Sequence, residues 1–346
     1  MIPDDLFSRL DRGDTAAVAR AISLVENQRD GFERVLDHVH ARVGRRGARR
    51  IGITGPPGAG KSTLTERLTR YYRDREMQVA VVAVDPTSPF TGGALLGDRI
   101  RMESVSLDPG VYIRSMATRG SMGGLATTTA EVCDILDACG YDRILIETVG
   151  VGQTELDIAR TAESTVLVLV PESGDGIQAL KAGIMEVADI FVVNKADRAG
   201  ADRLRQEIEV MLGIRRGNAF RHMTAHHRPD AAPARATPEA VPGSVWEPPV
   251  LAAVATHGDG IAALAEALDR HRGFLETSGR LQQGRRDRLA ERTRAVVNRA
   301  LRQWIWEESG AEQTLMQGMD DMAAGRRSPY DVAGEILDQV KSGATQ

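Results

Sequence analysis

The residue types in Gly55-Pro56-Pro57-Gly58-Ala59-Gly60-Lys61-Ser62-Thr63 suit one chemistry, the cradling of phosphate oxygens. Glycines in the turn let main-chain N–H groups face inward around an anion without an obstructing Cβ. Lys61 would reach the β- and γ-phosphates, and Ser62 would offer its hydroxyl to Mg²⁺. The segment follows an apolar run, Ile51-Gly52-Ile53-Thr54, and opens a helical pattern of Leu64, Leu68, Tyr71 and Tyr72. That is the strand–loop–helix setting of the phosphate-binding spelling G-x-x-x-x-G-K-[ST], and the start of the helix adds its positive dipole end to the site. The stretch predicts a nucleoside-phosphate site.

Further candidates fall at the ends of predicted strands, where open α/β sheets bind ligands. Asn194-Lys195-Ala196-Asp197 ends the run Ile190–Val193. The Asp197 carboxylate can accept from both N1–H and the 2-amino group of guanine, which adenine lacks. Asn194 can bond the base edge and the phosphate loop, and the stem of Lys195 can cover the ring. This predicts GTP and GDP rather than adenine nucleotides. Asp85 ends the second strand and could orient a metal-bound or attacking water, while Asp98 follows in a Gly-rich loop that could close over the γ-phosphate. Glu147 precedes Thr148-Val149-Gly150, so E-x-x-G stands where D-x-x-G is common. Its carboxylate would hold Mg²⁺ directly or through water, and the Gly150 amide would sense the γ-phosphate. Val254-Ala255-Thr256 sits where a backbone amide could meet the guanine O6.

These residues need a sheet to bring them together. From Arg50 to about Thr277 strand and helix patterns alternate, the signature of a parallel sheet with crossover helices. Strands are expected at 50–54, 79–84, 111–114, 142–147, 164–169, 190–194 and 249–255, with helices at 62–74, 124–139, 155–161, 177–187, 201–212 and 259–277. The fold expected is α/β: a P-loop NTPase with a mainly parallel sheet flanked by helices. Residues 1–44 read as an N-terminal helical extension, 45–278 as the nucleotide domain, and 279–346 as a C-terminal helical arm. Within the nucleotide domain, 215–249 lacks periodicity and is expected to be a long mobile loop. His222 and His226 share a helical spacing there, beside His227, but no nearby Cys or carboxylate completes a metal site. The arm carries a long helix over Arg285–Trp306 and shorter ones near 311–324 and 329–341, with Trp304 and Trp306 expected to need covering.

Composition narrows the class. The chain has 346 residues, 42% hydrophobic and 27% charged, with a net charge of −4, ordinary figures for a globular protein with a sizeable core. The charge gives no sign of a nucleic-acid partner. No apolar stretch reaches the ~18 residues that would span a bilayer, and the amino terminus lacks a signal layout. Cys133 and Cys139 lie six apart in one expected helix, poorly placed for a disulfide, so both are read as core residues of a cytoplasmic protein.

Together these stretches resemble the MeaB/ArgK/MMAA family of P-loop GTPases. The shared spellings are Gly55–Ser62, Val84-Asp-Pro-Thr-Ser-Pro89, Gly97-Asp-Arg-Ile-Arg-Met102, Glu147–Gln153, Lys181-Ala-Gly-Ile-Met-Glu186 and Asn194–Asp197, and the likeness covers about residues 15–310. The resemblance implies a homodimeric, metallochaperone-type G protein that serves adenosylcobalamin-dependent methylmalonyl-CoA mutase. GTP hydrolysis would gate cofactor delivery and protect or reactivate the mutase. It further implies that Lys61, Ser62, Asp85, Asp98 and Glu147 form the phosphate–Mg²⁺ site, and that Glu172–Lys181, with Gly174 and Gly176, acts as a coupling switch. Two departures stand out: Val254-Ala255-Thr256 replaces the usual Ser-Ala-Leu loop, and 215–249 is longer and richer in Pro and His. The alternatives are a nickel-insertion GTPase, which would need Cys/His ligands near the switches, and an ArgK-like kinase of a transport protein, which would need an acceptor pocket with its own base.

Overall fold

Continuously apolar strand runs must be covered on both faces, and the computed structural model shows how. It describes residues 5–85, 102–117, 124–148, 154–171, 184–215 and 245–343. They fall into two compact units, Met1–Arg285 and Arg286–Gln346.

The first unit opens with three helices, α1 (Leu6–Asp11), α2 (Thr15–Glu26) and α3 (Phe32–His40). Asp14 starts α2 by accepting the Ala17 N–H at 2.9 Å, an N-cap in extended conformation. There follow β1 (Arg49–Thr54), α4 (Lys61–Arg73), β2 (Val79–Asp85), the four-residue α5 (Glu103–Ser106) and β3 (Val111–Ala117). Next come α6 (Gly124–Ala138), β4 (Arg143–Thr148), α7 (Thr154–Thr161), β5 (Ser164–Leu169), α8 (Ile184–Val187) and β6 (Ile190–Asn194). The unit ends with α9 (Ala201–Arg215), β7 (Val250–Ala253), α10 (Ile261–Thr277) and the first turns of α11 (Arg280–Gln303).

All seven strands join one parallel sheet in the order β3-β2-β4-β1-β5-β6-β7. One face packs Ala80, Val82, Val84, Ile144 and Ile146 against α6 and the N-terminal helices, through Val18, Ile22, Val25, Val35, Ile135 and Leu136. The expected N-terminal extension is thus built into the main core. On the other face Ile51, Ile53, Val79, Val81, Val166 and Val168 meet Leu64, Leu68, Leu264 and Leu268 of α4 and α10. A third cluster, Leu167, Leu169, Phe191 and Val193 with Leu204, Ile208 and Leu212, seats α9. Cys133 is fully buried in the first of these clusters, whereas Cys139 lies just past the end of α6 and is only half-buried, its thiol donating to the Leu10 carbonyl, and neither forms a disulfide.

Sequence spacing and structure differ in places. The single turn of α5 was not expected, being too short for periodicity to register. Of the helix expected at 177–187 only Ile184–Val187 lies within the described residues, and most of 215–249 lies outside them. The long helix expected at Arg285–Trp306 begins earlier and ends at Gln303, where a π-helical turn, Trp304–Glu308, follows.

The second unit holds the remainder of α11, that turn, α12 (Ala311–Ala323) and α13 (Pro329–Gly343). Its core is small: Ala311, Val332 and Ile336, with Ile305, Leu315, Met322 and Val340 packed on them. Gly318 permits the close α12–α13 approach, since a Cβ there would lie 2.9 Å from Val332. Trp304 is half-buried rather than exposed, whereas Trp306 remains exposed.

At the amino-terminal edge of the sheet, Ser164 Oγ lies 2.8 Å from His271 Nδ1, and His271 Nε2 lies 3.4 Å from Asp189 Oδ1. The Asp189 carboxylate accepts the Thr165 N–H, and its main-chain carbonyl accepts the Trp246 indole N–H, both at 2.8 Å. This cluster anchors the chain just ahead of β7. Burial pushes the His271 imidazole down to about 4 and the Asp189 carboxyl up to about 7. A depressed histidine favours folding while neutral, so its contribution is present above its unfolded value near 6.5 and is lost as pH falls towards 4. Asp189 has the opposite sign, losing its contribution as pH rises through 7. We expect His271→Gln to have a shallower loss of stability than the native protein between pH 6.5 and 4, by up to ~3 kcal/mol. Denaturant midpoints of the two proteins across that range check this, and parallel curves would contradict it.

Candidate functional site

Sheet register builds the site. Ile53 of β1 pairs with Glu147 of β4, so the loop leaving β1 emerges beside that carboxylate. Beneath the loop the Thr148 hydroxyl donates to Thr54 Oγ1 at 3.0 Å, both side chains buried. Gly55 begins the turn with φ +143°, and a Cβ there would lie 2.1 Å from the Val168 carbonyl of β5. The turn ends at Gly60, φ +86°, which caps α4 in the left-handed region.

Lys61 is buried and donates to the Gly55 carbonyl at 2.8 Å and the Pro56 carbonyl at 3.0 Å, spanning its own loop. Ala59 is buried, while Pro57 and Gly58 are exposed at the crest, and Thr63 lies in the first turn of α4. The Ser62 hydroxyl donates to Glu147 Oε1 at 2.6 Å. This pair tests the site against a divalent cation. A hydroxyl and a carboxylate, two hard oxygen donors held side by side at a helix start, match what Mg²⁺ takes from protein. The longer side chain of Glu147 reaches Ser62 from the strand end, so E-x-x-G places its carboxylate in the loop cluster.

The guanine-reading candidates converge on the same loop. Asn194, buried at the end of β6, donates from Nδ2 to the Ala59 carbonyl at 2.8 Å and accepts the Ala255 N–H on Oδ1 at 3.1 Å. One amide therefore joins the phosphate loop to the loop after β7. Gly60 makes this possible, because a Cβ there would stand 2.4 Å from Asn194 Nδ2. The Asn194 bond to the loop backbone follows its sequence reading, but the Ala255 amide does not lie open for a base carbonyl. It is bonded to Asn194, and guanine O6 would have to share that N–H. The loop is closed by Val254 N–H to the Asp259 carbonyl at 3.1 Å and His257 N–H to the Val254 carbonyl at 2.9 Å. Lys195 takes φ +55°, and Ala196 N–H bonds the Ala253 carbonyl at 3.0 Å, which turns Asp197 outward into an exposed position.

Asp85 closes β2 at the same carboxyl edge of the sheet. Asp98, Gly150 and the Glu172–Lys181 stretch lie outside the described residues, as do His222, His226 and His227. Two contacts had no sequence signal. The Arg67 guanidinium of α4 donates to the Thr256 carbonyl, and the Ser104 hydroxyl of α5 donates to Glu66. Each joins residues far apart in the chain by side chains that belong to no motif.

A nucleotide-type loop at the carboxyl edge of a parallel sheet, closed by a buried lysine and backed by a Ser–Glu pair, defines the P-loop hydrolase class. The family described as methylmalonyl Co-A mutase-associated GTPase MeaB matches residues 18–310, and the chain belongs to it and is a GTPase. A Pyrococcus abyssi protein described as a GTPase is 44% identical over 345 residues, 98% of this chain and 97% of that one. The methylmalonic aciduria type A homolog, mitochondrial, of Mus musculus is 34% identical over 293 residues, 80% of this chain and 65% of that one. A solved structure described as LAO/AO transport system kinase matches with a TM-score of 0.67 at 25% identity, over 99% of both chains.

The tight contact at Gly60 generates a prediction. Gly60→Ala adds a methyl against Asn194 and forces a side chain into positive φ. We expect a loss of about 1–3 kcal/mol of stability and weaker GDP binding, because the amide bridge must give way. Thermal unfolding and a GDP titration measure both. Gly58→Ala is the control: it also has positive φ, +76°, but a Cβ there meets nothing within 4 Å. Equal losses in the two variants would show that the Asn194 contact is immaterial.

Proposed function

We propose that the chain binds GTP and GDP with Mg²⁺ at this loop cluster, and that hydrolysis gates adenosylcobalamin delivery to methylmalonyl-CoA mutase and protects or reactivates that enzyme. The observation that carries the nucleotide part is the Asn194 amide bonded at once to Ala59 and Ala255, which sets the base-reading and phosphate-binding segments side by side.

Each residue then has a task. Main-chain N–H groups of residues 58–63 hold the phosphates, Pro56 and Pro57 having none to give, and Lys61 transfers its donors from the loop carbonyls to the β- and γ-oxygens. Exposed Asp197 accepts from guanine N1–H and the 2-amino group while the Lys195 stem covers the ring. Ser62 and Glu147 would hold the metal, Asp85 and Asp98 would add carboxylates to it directly or through water, and the Gly150 amide would sense the γ-phosphate. Bound Mg²⁺ supplies neutralisation of charge on the phosphate oxygens.

The mutase assignment is supported by the family description and by the name of the mouse relative. Self-association is supported by apolar side chains exposed in the second unit, among them Leu289, Val297, Leu301, Trp306 and Met316. We infer a cytoplasmic homodimer. No described helix is long and apolar enough to cross a membrane.

Base choice tests the site directly. Asp197→Asn should weaken GDP and strengthen xanthosine diphosphate, because the swapped amide finds a carbonyl where guanine carries its amine. A site that pairs specific donors rejects mismatched bases by up to ~10⁴–10⁵-fold. Competition titration gives the ratio, and a native protein binding ADP as well as GDP would overturn the guanine reading. The chaperone role is tested by steady-state GTP hydrolysis with and without purified mutase. Basal turnover of roughly 10⁻⁴–10⁻² s⁻¹, accelerated at least tenfold by the mutase, is expected. Unchanged turnover together with no co-elution would reject the partner.

A further inference from the structure

The loop after β7 carries the Ala255 amide, and Val254 stands before it where the family resemblance leads one to expect a serine. A valine cannot fasten the loop through a hydroxyl. The structure shows a different fastening. Arg67, in the second turn of the helix that starts at Lys61, donates its guanidinium N–H to the Thr256 carbonyl, 189 residues away in the chain.

We infer that Arg67 is a positioning residue for base selection, holding the Val254–Thr256 loop against the phosphate-binding helix in place of a loop hydroxyl. The inference rests on the guanine reading of the site given above. Bonds of three kinds hold the loop. Val254 N–H bonds the Asp259 carbonyl and closes it on itself, Ala255 N–H bonds Asn194 and sets its depth, and Arg67 draws Thr256 towards α4. The first is internal to the loop. The second is the N–H that guanine O6 would share, so it weakens at the moment a base arrives. Among the described residues, it is the Arg67 bond that ties the loop to the helix through a carbonyl that a base carbonyl does not compete for. A cationic donor is suited to this, because its bond to a carbonyl is stronger than one from a neutral group. Arg67 acts through the loop, by limiting how far it can withdraw, and not by contact with base or phosphate.

The position also separates two kinds of affinity. Phosphate contacts come from residues 58–63 and owe nothing to the Arg67 head group, whereas base contacts depend on the loop that it holds. Loss of Arg67 should therefore reduce the preference for guanine more than it reduces binding of a diphosphate as such, and should do so through faster dissociation.

The test uses the full chain and fluorescent GDP and ADP analogues, read as dissociation rates and as the GDP:ADP affinity ratio. Arg67→Ala should accelerate GDP release by about tenfold and lower the ratio by a similar factor, the loss of one charge-assisted bond at a partly exposed site. Arg67→Lys, which keeps a cationic donor, should recover part of the ratio. Arg70→Ala, an exposed arginine one turn further along the same helix, should leave it unmoved and so controls for charge loss. A GDP:ADP ratio unchanged in Arg67→Ala overturns the inference, as does a ratio that falls equally in Arg70→Ala. If the native protein itself fails to prefer GDP, the guanine reading has failed instead, and the two results are distinguishable.

Discussion

The site depends on one primary amide. Asn194 gives its Nδ2 proton to Ala59 and takes the Ala255 N–H on Oδ1, so a buried polar side chain meets backbone groups of two separate loops. A buried amide left unbonded would cost on the order of 1–3 kcal/mol, and here neither end is left so. The consequence is mechanical as well as energetic. Movement of the loop after β1 pulls on the loop after β7, and the glycine at position 60 exists in this packing because nothing larger fits beside that amide. The P-loop segment and the loop proposed to meet the base are thereby joined through one side chain.

The sheet supplies the frame within which this amide can act. With every strand parallel, every carboxyl end faces the same edge, so Thr54, Glu147, Asn194 and Ala253 stand at or beside the ends of their strands there. Burial of β4, β5 and β6 along their whole length fixes the register, since a slip would move the apolar set out of its layer. The pairing of Ile53 with Glu147 and of Asn194 with Ala253 is what sets carboxylate, hydroxyl and amide within bonding distance. At the opposite edge the Ser164–His271–Asp189 cluster and Trp246 hold the chain entering β7, and a buried Glu163 is shared by Arg272 and Arg285. These groups lie at the far end of the strands from the phosphate-loop motif and fix the strand and helix that flank the Val254–Thr256 loop.

Much of this was legible in the sequence, for a physical reason. A phosphate loop is a contiguous segment whose function depends on local backbone shape, so its spelling, the strand before it and the helix after it carry the whole signal. The same is true of Asn194–Asp197 and of the apolar runs that became strands, because burial on two faces leaves no polar residue to interrupt them. Helix limits were read to within a few residues where periodicity was sustained. They were missed where it was not, as in the single turn at Glu103–Ser106 and the π-helical turn that ends the long helix at Gln303.

What the tertiary structure alone decided are the contacts between distant segments. Nothing local to Asn194 says that both ends of its amide are committed, nor that the Ala255 N–H is already engaged. The bond from Arg67 to Thr256 joins residues of which one is an ordinary helix-surface arginine and the other offers only its carbonyl, a group every residue has. Ser62 and Glu147 could be assigned to one task from their motifs, but their 2.6 Å contact follows from the β1–β4 register. Sequence determined which chemical groups this protein has available and which short segments hold them in shape, because those properties depend on neighbours along the chain. Which group meets which was decided by the order and register of the sheet, since only packing of the whole core brings residues 61 to 189 positions apart within bonding distance.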